Sequence, residues 1–292
     1  MADKTVRRAV KGQPAVDGAG VRLTRVLGPG TVDDFDPFLM LDSFDSANPA
    51  DYLAGFPMHP HRGIETVTYL AAGRIDHRDS LGNEGSIRDG QAQWMCAGSG
   101  IMHEEMPKAS ARMLGVQLWL NLPAAEKMAR PAYHALDSVA EVTVGADCEP
   151  VVHGTPGATL VRVVAGELAG ARGFAGDHLP ATFLELQVPA GGSLALPVEA
   201  GQAAYAFLLE GDALVAGKAY AAKTALAFSE AGDVATFAAP AGTPARVLYF
   251  SAPRLAEPVA WGGPVVMNTE AELRQAFAEL RDGTFIKERP EL

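Results

Sequence analysis

One pattern governs what this chain can fold into. Short apolar runs at strand spacing, closed by glycine, proline or aspartate, occur twice in the same order. In the first half, Thr68-Tyr69-Leu70-Ala71-Ala72-Gly73 leads to Asp89-Gly90, then Trp94-Met95, then Val116-Gln117-Leu118. In the second, Ala206-Phe207-Leu208-Leu209-Glu210-Gly211 leads to Gly232-Asp233, then Thr236-Phe237, then Val247-Leu248-Tyr249. Such runs, too short for helices and bounded by turn residues, read as strands. The repeated order reads as a tandem duplication of one β module. Each module must bury its strands against one another, which gives a sandwich or barrel. The 31 glycines and 20 prolines supply the turns. A length of 292 residues suits two such domains. We place them at 1–135 and 136–292, with the join in the stretch from Pro123 to Pro150, which carries one short helix-like run, Ala124 to Arg130.

The last segment differs. Thr269 and Glu272 form a capping box, and Leu273, Ala276, Phe277 and Leu280 fall on one helical face that Gly283 ends. The acidic end from Glu288 to Glu291 reads as a solvated tail. The fold expected is therefore all-β, two barrels with a C-terminal helix.

Composition removes several functions. A net charge of −11 argues against a phosphate-binding surface, so no direct nucleic-acid partner is expected. No run of 18 apolar residues is present, so no membrane span is expected. The first residues lack the apolar core of a signal peptide, and two cysteines make no disulfide framework. Both point to the cytoplasm.

Four of the seven histidines lie between positions 59 and 103. His59 and His61 are two apart, as are His103 and Glu105. Residues two apart on a strand share a face. Two such pairs on neighbouring strands offer three imidazoles and a carboxylate to one point. That set suits a divalent transition metal, with iron(II), manganese, nickel, copper, zinc and cobalt all left open by the donors. Four protein ligands leave two positions open on an octahedral ion, as a catalytic metal needs.

His59-Pro60-His61-Arg62-Gly63-Ile64-Glu65 and Gly100-Ile101-Met102-His103 resemble the two metal motifs of the cupin superfamily. Phe35-Asp36-Pro37-Phe38, Gln93-Trp94-Met95, Ala97-Gly98-Ser99-Gly100 through Met106-Pro107, Gln117-Leu118-Trp119, Glu126-Lys127-Met128 and Gly263-Pro264-Val265-Val266-Met267-Asn268-Thr269 narrow the resemblance to the pirin family. The resemblance implies a bicupin, two tandem cupin barrels with the metal in the first. Carried over position by position, it implies His59, His61, His103 and Glu105 as ligands. Glu65 stands where many other cupins take their carboxylate ligand. The HxE pairing favours Glu105 and leaves Glu65 for an outer position or as a partner for Arg62. His77 is expected to hydrogen-bond near the mouth of the barrel. The second half has no histidine at the matching positions.

The resemblance also implies quercetin 2,3-dioxygenase activity: oxidative ring opening of a flavonol with dioxygen and loss of carbon monoxide. Glu105 would take the proton of the flavonol hydroxyl. The alternative it implies is a non-catalytic metal-binding or redox-sensing protein acting through protein partners, which an acidic surface would help to attract.

Overall fold

A computed structural model describes residues 2–288, so most of the acidic tail read above lies outside the described residues. Contacts divide the chain into two compact units. One comprises residues 13–32, 36–137 and 255 onward; the other comprises residues up to 12, 33–35 and 138–254.

The first unit pairs a seven-stranded sheet with a four-stranded one. The large sheet runs in the order Ala132–Leu136, Ala92–Cys96, Ile64–Ala72, Met113–Asn121, Phe38–Ser46, Val21–Leu27, Gln13–Asp17. The small sheet runs Phe56–His61, Ile101–Pro107, Ile75–Asp79, Glu84–Ile87. The second unit repeats this plan, again with seven strands and four. All neighbouring strands in these four sheets pair antiparallel, as short turns require.

The interiors of the two units differ. Met113–Asn121 is buried along all nine residues, yet it carries Gln117 in its middle. Thr68, Gln93, Glu105 and Gln117 form a polar knot inside the first barrel, all at most 8% exposed. In the second barrel the inward positions are aliphatic or aromatic: Leu184, Leu186, Leu194, Leu208, Leu226, Phe237 and Val247. An apolar interior gains stability from burial alone. A buried polar knot must satisfy its own hydrogen bonds.

Two expectations are corrected. The blocks 1–135 and 136–292 are not the compact units, because both ends of the chain cross over. Val6–Lys11 adds an edge strand to Thr224–Phe228 of the second unit. The C-terminal segment packs with the first unit, through a buried cluster of Ala260, Val265, Met267, Leu273, Ala276 and Phe285. The helix-like run Ala124 to Arg130 is only a single turn, Ala124–Glu126. Its Lys127 points inward instead, donating to the carbonyls of Gly63 (2.7 Å) and Val266 (3.0 Å).

The C-terminal helix spans Glu270–Arg281 and carries the expected capping box. The Thr269 hydroxyl accepts from the Glu272 amide at 3.2 Å, and Glu272 accepts from the Thr269 amide at 2.8 Å. Thr269→Ala is expected to lower the stability of this unit by about 1 kcal/mol. A shift in the urea midpoint at constant slope would measure it.

Candidate metal centre

Strand register brings the histidines together. His103 lies directly opposite His59, and Ile101 opposite His61. The ladder then slips, so that Glu105 faces Phe56. The extra residue falls on the strand that holds Pro57, which has no amide to donate to a ladder. The slip leaves the Pro57 carbonyl 2.8 Å from His59 Nδ1. His61 Nδ1 lies 3.1 Å from the carbonyl of Pro264, which belongs to the C-terminal segment.

These two carbonyls fix both tautomers. A carbonyl only accepts, so each Nδ1 carries the proton and each Nε2 presents a lone pair. The two Nε2 atoms are 3.1 Å apart. Two lone pairs facing each other at that distance make no hydrogen bond. Protonating His61 is disfavoured, since burial and the neighbouring His59 push it down to about 3. His103 is fully buried, and neither of its ring nitrogens has a hydrogen-bond partner. Burial, then the neighbouring histidines, push its pKa well below the ordinary value. Ligand nitrogens of all three histidines lie within 4.8 Å of one another.

A transition metal resolves these features together. With metal–nitrogen bonds of about 2.0–2.1 Å, two ligand nitrogens sit roughly 2.9–3.4 Å apart. The His59–His61 separation falls in that interval. The orphaned His103 nitrogen would gain a partner, and the carbonyls behind His59 and His61 supply the orienting hydrogen bonds that metal-bound imidazoles need. The donor set fits the ion.

Glu105 lies outside this group of three. It accepts from Thr68 Oγ1 (2.8 Å) and Gln93 Nε2 (2.6 Å) on one oxygen and from Gln117 Nε2 on the other. Those donors stand on three different strands, so the carboxylate is oriented from three sides. Glu65 is buried and pairs across the ladder with Cys96. The partner of Arg62 is not Glu65 but Glu279 of the C-terminal helix, at 2.8 Å. His77 is buried, stacks on Tyr133 at 4.2 Å, and bonds Asp79 through Nε2 at 3.2 Å. Its ring centre lies 5.4 Å from that of His103.

A cavity of about 610 Å³ opens onto His59 and His61. Met40, Phe56, Trp119 and Trp261 form its apolar walls; Asp17, Arg25, Asp42 and Gln117 supply its polar groups. Trp119 meets His61 edge-on at 4.9 Å and packs on Trp261 at 5.9 Å. Arg25 grips Asp42 with two hydrogen bonds, 2.9 and 2.7 Å, and reaches Asp17 at 2.5 Å. Burial alone would raise the Asp17 carboxyl, but the Arg25 and Gly18 hydrogen bonds and the Arg25 charge hold it below the ordinary range.

Sequence reasoning assigned no role to Thr68, Gln93 or Gln117, nor to Asp17, Arg25, Asp42 or Trp261 in the cavity. Gln93 and Gln117 carried one usable signal: each interrupts an apolar strand at a position that faces inward. Asp17 and Arg25 carried none, because only the folded chain brings them to the histidines.

Residues 20–120 match the family model for pirin, and residues 183–286 match that for the pirin C-terminal cupin domain. A pirin-like protein of Caulobacter vibrioides is 44% identical over 285 residues, 97% of this chain and 99% of the relative. A Pseudomonas aeruginosa relative, provisionally named a quercetin 2,3-dioxygenase, is 42% identical over 281 residues, 93% of this chain and 94% of its own. A crystal structure of quercetin 2,3-dioxygenase from Acinetobacter baumannii aligns with a TM-score of 0.85 at 30% identity, covering 97% of this chain and 99% of that one.

Proposed function

The chain belongs to the pirin family, and from that premise we propose a metal-dependent dioxygenase that opens the heterocycle of quercetin-like flavonols. The observation that carries this reading is the cavity of about 610 Å³ ending on His59 and His61. That volume suits a small organic ligand. Its walls pair tryptophan and methionine with a few fixed polar groups, which suits a flat, hydroxylated aromatic.

In this reading His59, His61 and His103 hold the ion, and Glu105 completes the set. Iron(II) is the ion we assign first, on the mixture of imidazole and carboxylate donors. When bound, it would supply a Lewis acid for the flavonol oxygen and a redox partner for dioxygen. The protein does the rest. The Pro57 and Pro264 carbonyls hold two imidazoles in their ligating tautomer. Thr68, Gln93 and Gln117 hold Glu105 in one orientation. Trp119, Trp261 and Met40 flank the aromatic rings and displace water from the reacting face. The overall reaction consumes one flavonol and one dioxygen and yields a ring-opened ester and carbon monoxide.

A wide, lined cavity at the histidines favours catalysis over a purely regulatory role. A regulatory metal needs no such space. The two cysteines form no disulfide, which suits a reducing compartment such as the cytoplasm. Among the described residues, no helix is long and apolar enough to cross a membrane.

The test is direct. Protein loaded with iron(II) without oxygen, then given quercetin and oxygen, is expected to bleach the flavonol absorbance and release carbon monoxide. Constant absorbance with iron and with each of the other five metals would overturn the assignment.

A further inference from the structure

We propose that Asp17 is the carboxylate that meets a bound substrate, and that Arg25 positions it; this builds on the flavonol reading above. Glu105 is badly placed for that contact. It is 2% exposed, is held by donors on three strands, and does not line the cavity. Asp17 does line it, together with His59 and His61, and its side chain is 48% exposed.

The surroundings of Asp17 are built to hold it there. Asp42 is nearly buried and engages Arg25 with both oxygens, so the guanidinium has one orientation. Arg25 then binds Asp17 Oδ2 at 2.5 Å, and the Gly18 amide binds Oδ1 at 2.7 Å. Gly18 takes φ +57°, and a side chain there would meet the Gly55 carbonyl at 2.5 Å, so the turn admits only glycine. Each Asp17 oxygen accepts one bond and keeps a further lone pair. Those lone pairs are free for a substrate hydroxyl.

The step balances without another reactant. The substrate hydroxyl donates to Asp17; its O–H bond breaks and an O–H bond forms on the carboxylate. The electron pair stays on the substrate oxygen, leaving a flavonolate. A ligand that fills the cavity also strips water from Asp17, and desolvation makes a carboxylate a better proton acceptor. The proton later leaves to solvent through the exposed side of Asp17. Arg25 does not touch the proton; it is a positioning residue.

The experiment uses metal-loaded protein without oxygen, titrated with quercetin. Quenching of Trp119 and Trp261 fluorescence reports binding, and the red-shifted absorbance of the flavonolate reports ionisation. Asp17→Asn is expected to keep metal content and quenching. It should raise the pH at which half the bound flavonol is ionised by about one unit, a tenfold loss at fixed pH. With oxygen admitted, kcat should fall by about 100-fold, in the range for a lost proton acceptor. Asp17→Glu should recover part of both, and Arg25→Met should lose ionisation while keeping metal. An unchanged flavonolate fraction in Asp17→Asn overturns the assignment, as does wild-type protein whose tryptophans are not quenched. Flavonol that binds and ionises through Asp17 but is never consumed by oxygen would leave Asp17 standing and remove the dioxygenase reading. Consumption that is indifferent to Asp17→Asn would do the reverse.

Discussion

Replacing His103 with alanine is expected to take the metal content of the protein from about one ion per chain to a small fraction of that. His59→Ala and His61→Ala should do the same, because each removes one of the three converging imidazoles. The expected drop in affinity is larger than the 10–100-fold, to order of magnitude, that follows loss of an outer partner. Elemental analysis of dialysed protein measures it. The His103 ring makes no hydrogen bond in the fold, so removing it leaves no broken partner behind. The metal-free variant should therefore melt close to metal-free wild type. The separation comes on adding metal. Wild type should gain stability as the logarithm of metal concentration, and His103→Ala should not. Unchanged metal content in all three variants would refute the site.

The second large effect is expected at Arg62. Its side chain is 3% exposed and holds four things at once. Nη1 pairs with Glu279 at 2.8 Å, Nε donates to the Ser99 carbonyl at 2.7 Å, and Nη2 donates to the Phe285 carbonyl at 2.8 Å. The guanidinium also lies 4.2 Å over the Phe285 ring. Arg62→Ala takes the guanidinium from a largely buried carboxylate, which keeps only Lys287 and Gln275, and leaves two carbonyls without their donor. Breaking a buried pair from one side costs about 3–5 kcal/mol. For a unit of this size that is a fall in melting temperature of roughly 6–20 °C. The double change Arg62→Met with Glu279→Met should recover much of the loss, since no buried charge is then left alone and Lys287, 35% exposed, is free to turn to water. A melting temperature within one or two degrees of wild type, roughly a few tenths of a kcal/mol, would show that the pair is dispensable.

The same pair makes a pH signature. Burial alone would raise the Glu279 carboxyl, but hydrogen bonds from Lys287, Arg62 and Gln275 and the Arg62 charge pull it down to about 2 from an ordinary 4.5. A carboxyl lower in the folded state stabilises the fold fully above the unfolded value. The contribution is lost as pH falls from 4.5 towards 2. Glu279→Gln should flatten the acid limb of the stability curve in that window.

The duplicated strand order and the converging histidines were legible because both follow from period-two geometry, which any strand obeys. The capping box at Thr269 was legible because it is local in sequence. Its destination was not. That the helix seats on the first barrel depends on Arg62 meeting Glu279, a contact across more than two hundred positions. The setting of Glu105 was equally hidden. The spacing of His103 and Glu105 says one face, but a slip in the ladder beside Pro57 gives them different surroundings. Polar residues in apolar strands, Gln93 and Gln117, hinted at a buried acceptor without naming it.

The origin of the Pro264 carbonyl has a consequence for how the protein is made. The three histidines and Glu105 all leave the ribosome within the first 105 residues, yet the group that sets the His61 tautomer comes some 160 residues later. Trp261, which walls the cavity, and Glu279, which anchors Arg62, likewise emerge only after the strands of the second barrel. A nascent chain therefore carries every side chain proposed to hold the metal long before it can fix their geometry. Metal capture during synthesis is expected to be loose and reversible. Selection of the final ion falls to the completed chain, once its last segment has returned to the first barrel.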